Sequence, residues 1–113
     1  MDKQKVDDFY AHSVALHEKG LNELPEIMDA YWDELSDFIA SDIRGAIQFL
    51  CEDVACTEEI FLDWSSVFED VVRKTQSREF IKGIKRAATR FPEACIRGNI
   101  KACIKFAEEE LLG

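Results

Sequence analysis

Glu26, Asp29, Asp33 and Asp37 are separated by three, four and four residues. On an α-helix that spacing places all four carboxylates in one narrow arc, an anionic row about 16 Å long at a rise of about 1.5 Å per residue. Tyr31 and Trp32 lie among them. Aromatics of this kind supply contact area at protein interfaces, and carboxylates supply electrostatic steering, so the chemistry on offer is recognition of a cation. The row is also costly to build, because like charges three or four residues apart destabilise a helix by about 0.2–0.5 kcal/mol per pair. Residues 29–43, DAYWDELSDFIASDI, hold five carboxylates, and no cation comes before Arg44. Three explanations stand. The row is a solvated face; or it is neutralised internally by Lys74, Arg78, Lys82 and Lys85, which recur at i, i+4, i+8 and i+11; or it receives a cationic partner.

Other chemistries find less support. The two histidines, His12 and His17, are five residues apart, so on one helix they point in directions differing by roughly 140°, which suits neither a shared metal nor a proton relay. No glycine-rich phosphate loop, HExxH, GxSxG or DxDxDG segment occurs, and these are the short motifs through which phosphate, zinc, acyl and calcium chemistry are usually legible. CEDVACTEE lacks the ordered oxygen spacing and the glycine of a calcium loop. Cys51, Cys56, Cys95 and Cys103 form no CxxC pair and sit in apolar stretches, as small buried hydrophobes do. No catalytic residue, metal or cofactor is expected, and the chain reads as a non-enzyme.

At 113 residues and 13.0 kDa the chain suits one domain, 1–113, large enough to bury a core without staples. Its net charge of -9 is unevenly spread: residues 1–70 hold 18 acids and 4 bases, net -14, and residues 71–113 hold 5 acids and 10 bases, net +5. Such asymmetry suggests a charged partner or two segments that face each other. The N-terminus, MDKQKVDDFYAHS, has charges where a secretory signal needs an apolar run, and no window approaches a membrane span. A cytoplasmic chain without membrane contact, monomeric or a small oligomer, is the expectation.

The elements that must position these residues follow a helical period. Val6, Phe9, Tyr10, Val14 and His17 predict a helix over 3–19, closed by Gly20. Pro25 opens the next, and the stripe from Ile27 to Val54 predicts two helices broken near Ser41–Gly45, with Trp32, Leu35 and Ile39 in the core and Tyr31 and Phe38 at the borders, partly exposed. Thr57 is an N-cap followed by Glu58 and Glu59. An uninterrupted amphipathic stripe then runs from Ile60 to Val72. Ser77 caps a helix through Ala88, Pro92 opens a short one, and RGN separates it from the last. Strict alternation persists nowhere, so the fold class is all-α, a compact bundle of about six helices. The stretch FPEACIRGNIKACIKFAEEELL resembles the helix–turn–helix junction of a tetratricopeptide-type repeat, which implies a helical hairpin there; it does not recur, and a solenoid needs several stacked units.

A small, acidic, all-helical chain with an anionic, aromatic-flanked face resembles, as a class, the immunity proteins with which bacteria neutralise their toxins, many of them cationic nucleases. The resemblance lies in Glu26, Asp29, Asp33 and Asp37 with Tyr31 and Trp32, and in no signature motif. It implies a cationic toxin domain as partner, its active site or substrate groove covered by carboxylates standing in for phosphates. The alternative is a helical adaptor or regulator that contacts nucleic acid or an acidic partner through its basic C-terminal region, where RKTQSREFIKGIKRAATR suits phosphate contacts. Nucleic acid is the weaker partner, because an acidic chain repels a polyanion over most of its surface.

Overall fold

Asp2 starts the first helix. Its carboxylate accepts from the backbone N–H groups of Gln4 (3.0 Å) and Lys5 (3.3 Å), and α1 follows as Lys3–Glu18 in this computed structural model, which describes residues 1–112, the side chain of Asn22 aside. Gly20 turns the chain at φ 73° into a 3₁₀ turn, Leu21–Glu23, a left-handed backbone that glycine adopts without strain. Pro25, with its fixed φ and absent N–H, sits at the first turn of α2, Pro25–Ala40. The break that follows is built by two side chains. Ser41 Oγ turns back to the carbonyl of Phe38 (2.6 Å), and Asp42 caps α3, Ile43–Glu52, by accepting from Gly45 N–H (3.0 Å). A Cβ at Gly45 would lie 2.1 Å from the Asp42 carboxylate, so the cap depends on that glycine.

Thr57 caps α4, Glu58–Ser65, accepting from Ile60 N–H (3.2 Å). The uninterrupted stripe expected from Ile60 to Val72 is two helices, α4 and α5, Phe68–Thr75. Ser65 Oγ bonds the Leu62 carbonyl (2.6 Å), the local competition by which serines bend and end helices. Gln76 at φ 54° closes α5, and Ser77 caps α6, Arg78–Ala88, through Phe80 N–H (3.0 Å). Pro92 opens α7, Pro92–Arg97, and a left-handed Asn99 at φ 50° leads into α8, Ile100–Glu109. The chain is therefore all-helical as expected, but with eight α-helices among the described residues in place of about six. The added count comes from short helices that sequence periodicity merges.

The helices share one core. Trp64 stacks obliquely on Phe49 at 5.3 Å and meets Phe38 edge-on at 6.4 Å, while Phe68 contacts both Phe61 (5.8 Å) and Phe80 (5.7 Å). Each such ring contributes about 1.5–3 kcal/mol by leaving water. The closest helix pairs are α3 with α6 and α5 with α8, and α2 lies along α5. Where α3 meets α6, Gly83 admits Ile47: a Cβ there would be 2.6 Å from Ile47 Cγ1. Arg90, beyond α6, donates to the carbonyls of Leu50 and Asp53 and so closes the end of α3. All four cysteines are free thiols, Cys56 buried and the others half-buried. Among the described residues no helix is long and apolar enough to cross a membrane.

Candidate functional site

With Leu35 and Ile39 buried against the core, α2 presents the opposite face to solvent. Glu26, Asp29, Asp33 and Asp37 are all exposed on it, while Glu34, also exposed, lies toward α1 beside Lys5 and Asp8. Among the described residues one cation answers them. Lys74 reaches across from α5 and donates from Nζ to Asp33 Oδ1 (2.9 Å), Asp37 Oδ1 (2.7 Å) and Ser36 Oγ (2.7 Å). Partial burial pulls the Lys74 pKa down, but the hydrogen bonds to Asp37 and Asp33 outweigh it and the net direction is up. The ammonium is therefore held charged between two carboxylates whose side chains remain 71% and 65% exposed.

Internal neutralisation is thus partial. Lys74, Arg78, Lys82 and Lys85 would form one row only on a continuous helix, and the left-handed turn at Gln76 divides them between α5 and α6. Lys85 pairs with Glu108 on α8. Among the described residues Glu26 and Asp29 have no ion-pair partner. The α2 row keeps four carboxylates against one ammonium, and Lys74 relieves repulsion only at the Asp33–Asp37 end.

Tyr31 does not belong to that surface. Expected at a border, it is 2% exposed, whereas Trp32, expected in the core, is half-buried. Tyr31 OH donates to Asp63 Oδ2 (2.7 Å) and lies 3.0 Å from the Phe9 carbonyl, and Ser13 Oγ donates to Asp63 Oδ1 (2.9 Å). The ring packs edge-on to Phe9 at 6.1 Å and beside His12 at 5.3 Å. A hydroxyl so engaged ties α1, α2 and α4 together and is unavailable to a partner. Phe38 is half-buried, as expected of a border residue.

Asp63 is the polar residue that sequence periodicity missed. Burial pushes its pKa up, and the hydrogen bonds from Tyr31 and Ser13 pull it back only in part, leaving it raised. Burial, then the neighbouring carboxylate, pushes the Tyr31 phenol well above its ordinary range, so it is a permanent donor at neutral pH. The one available signal was an aspartate set inside an apolar run, FLDWSSVF. The trio holds two hydroxyls on one carboxylate, an arrangement suited to anchoring helices.

Among the described residues no three His, Cys, Asp or Glu side chains are grouped to hold a metal ion. The structure therefore brings together Glu26, Asp29, Asp33 and Asp37 on one exposed face, adds Lys74 from α5, and takes Tyr31 away into the core. Comparisons with the models of known protein families, with curated proteins and with solved structures find no match.

Proposed function

We propose that this chain is a protein-binding inhibitor of the immunity type, which engages a cationic partner through the exposed carboxylates of α2. The reading rests on one observation above all. The acidic row faces solvent along its whole length and is compensated at one end by a single lysine that leaves both of its carboxylates accessible. A face built only for solubility has no need of carboxylates fixed at one height and orientation by a cross-helix ammonium. Pre-organisation of that kind lowers the side-chain ordering cost of association, and the unpaired end at Glu26 and Asp29 supplies long-range attraction. Charge steering of this type raises association rates from about 10⁵–10⁶ to as much as about 10⁸ M⁻¹s⁻¹ at low salt. The half-buried Trp32, three residues after Asp29, flanks the row on its apolar side, placed to be covered when a partner docks.

The test is purification of the tagged chain from the organism that encodes it, with identification of what accompanies it at about 0.15 M salt and what is shed at about 1 M, where the Debye length falls to about 3 Å. A strongly basic protein retained at the lower salt and released at the higher is the expected result. Retention of acidic proteins or nucleic acid alone would set the reading aside.

A further inference from the structure

The C-terminal helices carry something the α2 face lacks, an apolar floor. Ala88 near the end of α6, Pro92, Cys95 and Ile96 on α7, and Ile104 on α8 border a groove of about 610 Å³. A smaller depression of about 450 Å³ with Ile81 and Leu111 in its lining continues it along α6 and α8, the two sharing Lys85 and Glu108. Ile96 is 83% exposed at one end of this trough.

The rim is cationic. Arg78, Lys82 and Lys85 stand along α6, and Lys101 and Lys105 along α8. The single carboxylate among the lining residues, Glu108, is already paired with Lys85. Arg78, Lys82, Lys101 and Lys105 are exposed and have no ion-pair partner among the described residues. In a chain of net charge -9, four uncompensated cations around one apolar trough specify a ligand that is anionic at its flanks and apolar beneath.

We propose that the α6–α8 trough is a second binding surface, independent of the α2 face, which receives an acidic amphipathic helix of a partner protein. The trough follows α6 from Arg78 to Thr89, a length of about 16 Å, which accommodates about three turns of helix. An occupant with apolar residues at i, i+4 and i+7 sets them on Ile81, Ala88, Cys95 and Ile104, and its flanking carboxylates meet the lysines of both rims, the helix-in-groove mode of recognition. A second copy of this chain does not supply such a helix. Its acid-rich α2 already spends Tyr31, Leu35 and Ile39 on its own core and offers carboxylates without apolar anchors. A single-stranded nucleic acid is poorly matched as well, because among the described residues no aromatic side chain lines the trough and base stacking is what holds such strands in a basic groove.

The experiment titrates a fluorescein-labelled synthetic peptide of about 14 residues, leucines at i, i+4, i+7 and i+11 and glutamates on both flanks, into the full chain at about 0.15 M salt. Fluorescence anisotropy gives the affinity, and amide chemical shifts of the wild-type protein give the site without any substitution. Expected are saturable binding and shifts confined to α6–α8. Both Ile96→Asp and the pair Lys101→Glu/Lys105→Glu, all at exposed positions, are expected to weaken binding about tenfold or more. Neutralising Asp29, Asp33 and Asp37 should leave peptide binding unchanged, so this proposal and the α2 reading fail separately. The proposal is overturned if no binding saturates by about 1 mM, if a peptide with its leucines scattered around the helix binds equally, or if the shifts fall on α2. It is overturned too if an oligothymidylate of about 20 nucleotides displaces the peptide, or if sedimentation reveals a dimer that Ile96→Asp dissociates.

Discussion

Replacing Lys74 by Met keeps an aliphatic stem on α5 while removing the ammonium that reaches α2. The structure sets the size of the effect. Nζ makes two ion pairs, at 2.9 Å to Asp33 and 2.7 Å to Asp37, with carboxylates that are 71% and 65% exposed. Exposed pairs contribute about 0.2–1 kcal/mol each, and their loss also unmasks the Asp33–Asp37 repulsion, about 0.2–0.5 kcal/mol. Lys74→Met should therefore cost about 0.6–2.5 kcal/mol, read as a shift in the urea midpoint at neutral pH. The double-mutant cycle with Asp33→Asn/Asp37→Asn should return a coupling of about 1 kcal/mol that shrinks at about 1 M salt. The pH dependence has a definite sign. Because the folded-state pKa of Lys74 is raised, its contribution is present below the ordinary lysine range and is lost as pH climbs through the folded value, so Lys74→Met should flatten the alkaline limb of the stability curve. Asp29→Asn, which lacks a cation partner, should instead be neutral or stabilise by a few tenths of a kcal/mol (about 0.3). A Lys74→Met variant as stable as the parent, with no coupling to Asp33 and Asp37, would refute the account of how the row is tolerated.

Tyr31→Phe removes a donor from the half-buried Asp63 carboxylate and should destabilise by about 1–3 kcal/mol. Burial raises the folded pKa of Asp63 while the Tyr31 hydrogen bond pulls it down, so that bond favours the ionised carboxylate; the Tyr31→Phe penalty should therefore be larger at about pH 7 than at about pH 4, and equal penalties would contradict the network. Gly83→Ala places a methyl 2.6 Å from Ile47 and should cost about 1–3 kcal/mol through overpacking of α3 on α6, checked by thermal melting. With four free thiols the melting temperature should not respond to reductant. Cys56, whose thiol burial pushes up to about 12, should resist alkylation in the native state until the protein unfolds.

The features legible in the sequence were those written locally. Thr57, Ser77, Pro92 and the break near Ser41 and Asp42 mark their helices because a cap or a fixed φ acts within one turn. The division between α4 and α5 was hidden, because Trp64, Val67, Phe68 and Val71 keep a spacing of three, one and three residues straight through it. Tyr31 and Trp32 lie about 100° apart on α2, one on each border of the apolar face. Which of them turns inward depends on Asp63 and Ser13 waiting on other helices, information that no local pattern holds. The carboxylates of the row were legible by spacing alone. That only Lys74 would meet them was not, since its apparent partners in sequence leave on a different helix after Gln76.

Association rates report the sign and place of the functional surface. Stopped-flow measurement of the partner recovered by purification should give an on-rate at least about tenfold slower for Asp29→Asn/Asp33→Asn/Asp37→Asn than for the parent chain, and a faster one for Lys74→Met, which bares the row. Lys82→Gln/Lys101→Gln/Lys105→Gln, on the opposite pole of charge, should leave the rate within about twofold. An acidic variant that associates at the parent rate, beside a basic variant that no longer associates, would contradict the claim and place recognition on the C-terminal helices instead.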